Sequence, residues 1–362
     1  MNRVSRTVLV LGAIATATAT ATAAVPGTAG AKQLTPRQLA GQRVIYSYPG
    51  LTPPDALLQR IRAGEAGGVI FFGENISSSS QIAGVVKQLR AAAKQSPVRE
   101  PLLLMTDQEG GKVRRLPGEP ALSEKQVGQA ADPEAAAKAA GTGAGNNLAG
   151  VGMNVNLAPV LDVYRQAGNF IDEYGRSYSN DPAKAATLGR DAIAAQQATG
   201  VTATAKHFPG LGAAPAGSNT DVAPVTLNLS RDELRATDEA PYAKTAAKLA
   251  MLSWATYPAL DPKNPAGLSP TIVQQELRGR DGYCGVTITD ALEAGALQEF
   301  GDTGHRAVLA AKAGVDLILA SGRDVSQGDA AADALTAALG TGQLPDFTAS
   351  VQRISALRKG LS

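Results

Sequence analysis

The sequence predicts an α/β fold of the (β/α)₈ TIM-type barrel class, in a single domain. After residue 32, short apolar runs typical of strands alternate with longer alanine-rich segments typical of helices. This alternation predicts parallel strands joined by right-handed helical crossovers. Eight such units in roughly 300 residues fit a closed barrel.

The strand candidates are residues 44–48, 68–72, 102–106, 153–157, 202–206, 250–254, 285–289 and 315–320. The helix candidates between them include residues 55–63, 80–95, 133–149, 182–198, 231–249, 270–277 and 304–313. Several of these helices begin with favourable capping chemistry, as at Asp132-Pro133 and Asp181-Pro182. A doubly wound open sheet is the alternative fold. It would favour a glycine-rich phosphate loop after the first strand, and Tyr48-Pro49-Gly50 does not provide one.

Composition excludes several classes of protein. The 362 residues are 44% hydrophobic, which suffices for a buried core and argues against disorder. Lys and Arg number 34 against 32 Asp and Glu, and without Arg3 and Arg6 the two totals are equal. This balance argues against a nucleic-acid partner. A single cysteine, Cys284, excludes an intrachain disulfide, and we expect it to be buried in an apolar stretch. With two histidines, His207 and His305, we expect no metal site and no cofactor.

Residues 1–31 have the pattern of a secretory signal peptide. Arg3 and Arg6 precede an apolar run at residues 8–14, and small-residue cleavage sites follow at 21–23 and 29–31. The apolar run is too short for a stable membrane span. We therefore expect an exported protein, free of the membrane after cleavage, whose barrel domain occupies residues 32–362. The sequence does not predict its oligomeric state.

Polar side chains follow the ends of several predicted strands. Asp107 and Glu109 follow the third strand, Lys206 and His207 end the fifth, and Asp290 follows the seventh. In a barrel these strand ends converge on one rim, where active sites lie. Carboxylates and cations together are suited to sugars, because charge-assisted hydrogen bonds hold vicinal hydroxyl groups. Strand alternation places Lys206 and His207 on opposite faces, so His207 reaches the rim only if the chain twists.

Six motifs in order resemble glycoside hydrolase family 3, specifically its single-domain β-N-acetylhexosaminidase branch. They lie at residues 67–72, 107–115, 154–163, 175–182, 206–210 and 289–292, and the resemblance runs from about Leu39 to Leu319. It implies a barrel fold and a carbohydrate substrate. Asp290 matches the nucleophile that forms a covalent glycosyl-enzyme. The positions that match residues binding the sugar hydroxyls are Asp107, Arg115, Arg176, Lys206 and His207.

The chain departs from this branch in the acid/base loop, residues 211–221, which follows Pro209-Gly210. The branch carries an Asp and a His two residues apart, where this sequence has Gly217 and Asn219. Asp221, or another loop carboxylate such as Glu173, is the candidate general acid. Trp254 stands where this branch usually has a histidine. We expect it either to pack in the core or to form a platform for a sugar ring. Glu109 is expected to support the turn after the third strand.

Three functions remain open from the sequence. The first is an exported retaining β-glycosidase with an atypical acid/base loop. The second is a degenerate homologue that binds sugar or cell-wall glycan with little turnover. The third is a retaining enzyme of altered chemistry, such as phosphorolysis or transfer. A retaining pair of carboxyl groups lies about 5–5.5 Å apart, so the position of Asp221 relative to Asp290 discriminates among them.

Overall fold

A computed structural model describes Met1 and residues 34–243, 245–344 and 346–361. Apart from Met1, the predicted signal peptide lies outside the described residues. From Leu34 onward the described residues form one structural unit. The exact domain boundary remains a prediction.

The described residues contain eight parallel strands in one sheet. In chain order they are β1 (Val44–Tyr46), β2 (Gly68–Ile70), β3 (Leu103–Thr106), β4 (Val155–Asn156), β5 (Thr202–Phe208), β6 (Leu249–Leu252), β7 (Val286–Thr289) and β8 (Ile318–Leu319). Each strand pairs with the next along the chain from β1 to β7, and β8 pairs with β1. A parallel bridge between Ile288 and Leu317 joins β7 to the segment that enters β8. All eight predicted strands are present, and the predicted fold class is confirmed.

Side-chain alternation along the strands divides the core into two layers. Ile45, Met105 and Ile288 belong to a cluster that fills the barrel interior. Val44, Tyr46 and Leu104 belong to a larger cluster between the sheet and the surrounding helices. Successive residues of a strand point to opposite faces, which explains why short, almost wholly apolar runs form this sheet.

Helices surround the barrel. The α-helices are Pro36–Gly41, Asp55–Ala63, Ser79–Ala93, Glu124–Gly128, Pro133–Gly150, Phe170–Glu173, Pro182–Ala198, Arg231–Glu233, Thr303–Ala313, Val325–Gly340 and Phe347–Lys359. Short 3₁₀ turns occupy Gly73–Asn75, Ala266–Leu268 and Gly295–Phe300, and wider π-type turns occupy Leu234–Asp238 and Thr271–Arg280. Two small antiparallel hairpins pair Gln108–Gly110 with Val113–Arg114, and Thr256–Tyr257 with Asp261–Pro265. None of the helices in the described ranges combines the length and the apolar character needed to cross a bilayer.

Two expectations from the sequence are wrong. The predicted helix at residues 231–249 ends early: one short turn at Arg231–Glu233 passes into the π-type turn, and irregular chain follows. Pro241 cannot donate an intrahelical hydrogen bond, and its ring crowds the preceding turn, so a helix cannot continue regularly through it. Cys284, expected in the core, is exposed. It lies in the turn before β7, where its thiol approaches the Gly282 carbonyl oxygen at 3.4 Å.

Candidate active site

A cavity of about 300 Å³ opens at the carboxyl ends of the strands. It brings together the nucleophile, the first candidate acid and the five sugar-binding residues that the sequence predicts: Asp107, Arg115, Arg176, Lys206, His207, Asp221 and Asp290. They lie at or after the carboxyl ends of four strands, β3, β4, β5 and β7, and their convergence follows from the closed parallel sheet.

Lys206 forms the polar floor of the cavity. This buried residue places its Nζ 2.8 Å from Asp107 Oδ1 and 2.7 Å from Glu109 Oε1. Burial alone would lower the pKa of Lys206, but the two carboxylates outweigh it and hold the pKa above its ordinary value. Lys206 is therefore a fixed cation in the cavity floor.

Glu109 links Lys206 to Arg176. The Arg176 guanidinium donates two hydrogen bonds of 2.9 Å, one to each carboxylate oxygen of Glu109. Burial works to raise the pKa of Glu109, yet Arg176 and Lys206 lower it to about 2. Sequence reasoning assigned Glu109 to a supporting turn and missed this role. The available signal was its spacing of two from Asp107, since alternate residues of extended chain share a face.

The carboxylate of Asp162 orients the imidazole of His207. Its Nδ1 lies 2.7 Å from Asp162 Oδ2, and Arg176 Nη2 lies 3.4 Å from its Nε2. A guanidinium has no acceptor, so this geometry places the imidazole proton on Nδ1. The other oxygen of Asp162 accepts the backbone N–H groups of His207 and Leu211, at 3.2 and 2.8 Å. The Lys206–His207 peptide is cis, and both side chains line the cavity.

Asp290 and Asp221 face the same cavity from different segments. Asp290 directly follows β7, and its Oδ1 accepts the backbone N–H of Ala291 at 2.7 Å. The backbone carbonyl of Asp221 accepts the Gly295 N–H at 2.8 Å, which holds the loop after β5 against the chain after β7. Desolvation and, next, the Asp290 carboxylate raise the pKa of Asp221 to about 6, although His207 and Arg176 oppose them.

The acid/base loop presents one of the two candidate acids to the cavity. Asn219 lines the cavity, and its side chain accepts the backbone N–H of Asp221 at 2.8 Å. Gly217 has a left-handed φ of +75° and faces open space. Glu173 is exposed, and its carboxylate is not part of the cavity lining. Of the two carboxylates that the sequence offers as candidate acids, Asp221 lines the cavity and Glu173 does not.

Trp254 is a packing residue. It is 1% exposed, and its indole N–H donates to the Ala291 carbonyl at 2.8 Å. A Cβ at Gly267 would lie 2.5 Å from its ring, so a glycine is needed beneath it. The described residues contain no group of three or more His, Cys, Asp or Glu side chains arranged to hold a metal ion.

Comparisons with known proteins find relatives and solved structures that resemble most of this chain. The chain is 50% identical over 331 residues to an "Uncharacterized secreted glycosyl hydrolase" of Arthroderma benhamiae, covering 89% of this chain and 93% of the relative. It is 32% identical to "Beta-hexosaminidase A" of Pseudoalteromonas piscicida, covering 81% of this chain and 54% of that protein. A family 3 β-N-acetylglucosaminidase structure from Paenibacillus superposes with a TM-score of 0.85 at 35% identity, covering 91% of this chain and 63% of that one.

A β-N-acetylhexosaminidase structure from Beutenbergia cavernae superposes with a TM-score of 0.79 at 33% identity, covering 90% of this chain and 97% of that one. The family model described as "Glycosyl hydrolase family 3 N terminal domain" matches residues 38–357. The match spans every barrel strand and every cavity residue described above, and the chain belongs to glycosyl hydrolase family 3.

Proposed function

We propose that this chain is an exported retaining β-glycosidase that hydrolyses β-linked N-acetylhexosaminides. Asp290 is the nucleophile and Asp221 the general acid/base. One observation carries the proposal: the two carboxyl groups share a cavity, where desolvation and the neighbouring Asp290 raise the pKa of Asp221 to about 6. Environments that separate the pKa values of two carboxyl groups suit one to donate a proton and the other to attack. The names of the hexosaminidase relatives support the sugar class.

The reaction has two steps, glycosylation of Asp290 and hydrolysis of the glycosyl-enzyme. An Asp290 oxygen attacks the anomeric carbon, the glycosidic C–O bond breaks, and Asp221 gives its proton to the departing oxygen. Water then attacks the glycosyl-enzyme, its proton returns to Asp221, and Asp290 leaves as a carboxylate. The sugar hydroxyls are held by Asp107, Arg115, Arg176, Lys206 and His207. Glu109 and Asp162 keep the cations and the imidazole in place before substrate arrives.

The assignment of Asp221 is tested through the leaving group. A nitrophenolate departs with little protonation, whereas a sugar alkoxide needs an acid. Asp221→Ala should therefore lower kcat/KM on a β-linked disaccharide by about 10²–10⁴-fold, and on a nitrophenyl glycoside much less. Azide should accelerate the variant, because this nucleophile needs no general base. Glu173→Ala is the matched control, since its carboxylate is outside the cavity, and it should behave as wild type.

The pH profile provides an independent check on the same residue. An acid with a pKa near 6 loses its proton as the pH rises, so kcat/KM of the wild type should fall above about pH 6. This alkaline limb should disappear in Asp221→Ala. An unchanged limb, or equal losses on both substrates, would contradict the assignment.

Asp290→Asn tests the nucleophile. It should reduce kcat by at least about 10³-fold on every glycoside with little change in Tm, because a rim carboxylate contributes little to the core. Mass spectrometry after exposure to a 2-fluoro sugar should find the label on Asp290. A wild-type protein that binds a glycan in the cavity but cleaves no glycoside would instead identify a binding homologue.

A further inference from the structure

An exposed aromatic side chain lies at the cavity. Leu51, Leu122, Tyr174 and Val222 are exposed large apolar residues among residues 34–243, 245–344 and 346–361. Of these four, Tyr174 lines the cavity, with 44% of its surface exposed. A ring kept in solvent beside a strongly polar cavity is available to the apolar face of a ligand.

The ring of Tyr174 is held in position before any ligand binds. Phe170 meets it edge-on, with ring centroids 5.9 Å apart. Lys112 Nζ lies 5.7 Å from the centre of the ring and also donates to the Glu173 carbonyl at 3.1 Å. The helix Phe170–Glu173 is capped by Asn169, whose Nδ2 donates to the Gly212 carbonyl at 2.6 Å. A ring fixed in this way loses little conformational entropy when it binds a ligand.

The location of Tyr174 indicates which part of a substrate it can meet. Arg176, two residues later, reaches Glu109 in the polar floor, where the sugar undergoing cleavage is bound in the proposed function. Tyr174 instead remains exposed. The portion of a substrate that extends outward from the floor is the leaving group.

Two other aromatic side chains fit this role less well. Phe72 also lines the cavity, but it is partly buried against the barrel interior, and Arg323 lies 4.3 Å from its ring centre, closer than the 5.7 Å of Lys112 from Tyr174. Trp254 is buried. Building on the proposed function, we propose that Tyr174 is the binding platform for the sugar ring of the leaving group, contacting its apolar C–H face.

The test compares two substrates with the same glycosyl group. A β-linked N-acetylhexosamine disaccharide has a second ring, and the corresponding glycosyl fluoride has none. Tyr174→Ala should lower kcat/KM on the disaccharide about 10-fold, the size of a single aromatic contact, and leave the fluoride within about twofold. Tyr174→Phe should restore the disaccharide rate. Leu122→Ala removes a similarly exposed apolar side chain away from the cavity and should change neither rate.

The possible results separate the platform from the proposed function. An unchanged disaccharide rate in Tyr174→Ala, or equal losses on both substrates, would overturn the platform while the wild type remains a glycosidase. The alkaline limb near pH 6 should stay in place, and its movement would instead assign Tyr174 to the environment of the acid. A wild-type chain inactive on both substrates would overturn the proposed function and the platform with it.

Discussion

At the scale of the residue, partners decide what each carboxylate of the site can do. Glu109 faces two cations, which lower its pKa to about 2 and keep it charged. Asp162 accepts three N–H groups, two from the backbone and one from His207. Asp221 lies beside another carboxylate, and its pKa is raised to about 6. The same functional group thereby serves as an anchor for cations and as an orienting acceptor, and in the proposed function as a proton donor.

Asp162→Asn should switch the His207 imidazole from the tautomer protonated on Nδ1 to the one protonated on Nε2. The amide oxygen can still accept the backbone N–H of Leu211, but the amide nitrogen would face Nδ1 and force the proton onto Nε2. That proton would then point towards Arg176. We expect kcat/KM to fall about 10- to 10²-fold, typical for the loss of an orienting partner, with the fold retained.

Nitrogen-15 NMR of the imidazoles measures this change directly, because the chain has only two histidines. His305 provides the internal control. A wild-type tautomer in Asp162→Asn, with reduced activity, would show that Asp162 acts by anchoring the backbone alone.

At the scale of the element, glycines set how closely neighbouring helices pack. The helix Pro133–Gly150 packs against Pro182–Ala198 through Gly141, where an added Cβ would lie 2.2 Å from the Ala192 carbonyl oxygen. Gly145 faces the Thr199 hydroxyl in the same way, at 2.1 Å. Helix propensity alone favours alanine at both positions, so close packing outweighs propensity here.

Gly141→Ala should therefore destabilise the protein by about 1–3 kcal/mol, as overpacking does. Gly84 is the matched control: it lies in the middle of helix Ser79–Ala93, is exposed, and has no neighbouring atom within 4 Å of an added Cβ. Gly84→Ala should stabilise by up to about 1 kcal/mol. Denaturant unfolding measures the change in the free energy of unfolding for each variant. Equal stabilisation in both would refute the packing argument.

At the scale of the whole molecule, buried carboxyl groups outside the cavity set how stability depends on pH. Burial raises the pKa of Asp238 to about 7 despite its ion pair with Arg165. Burial likewise raises the pKa of Glu239 to about 7 and of Asp281 to about 6, although Arg280 opposes both shifts. Arg280 also pairs with Glu276, so one guanidinium serves three carboxyl groups.

These shifts make the fold more stable in mild acid than at neutral pH. A carboxyl group with a raised folded pKa keeps its proton where the unfolded chain has released it, so stability falls as pH rises from about 4 to 7. Glu109 acts in the opposite sense: its stabilisation is present above its unfolded pKa and is lost as pH falls towards 2. We therefore expect Tm to peak near pH 4, where the loss from Asp238, Glu239 and Asp281 begins. Asp238→Asn should flatten the decline between pH 5 and 7, and a Tm that rises across that range would contradict the prediction.

The sequence by itself determined the barrel and the membership of its polar rim. Apolar runs at regular intervals predicted the strands, and parallel strands necessarily bring their carboxyl ends together. For this reason Asp107, Lys206, His207 and Asp290 line one cavity, and so do Arg115, Arg176 and Asp221, which the resemblance and the altered loop added. Both inferences depend on local pattern and on a topology that leaves few alternatives.

The tertiary structure alone decided which partner each of these side chains has. Glu109 meets Arg176 across 67 positions of the chain, and Asp107 meets Lys206 across 99. Local periodicity predicts which face a residue occupies, but the pairing of distant side chains depends on loop paths that periodicity does not encode. The buried Trp254, the exposed Cys284 and the raised pKa of Asp221 depend on the same paths, because burial and charge are properties of the surroundings.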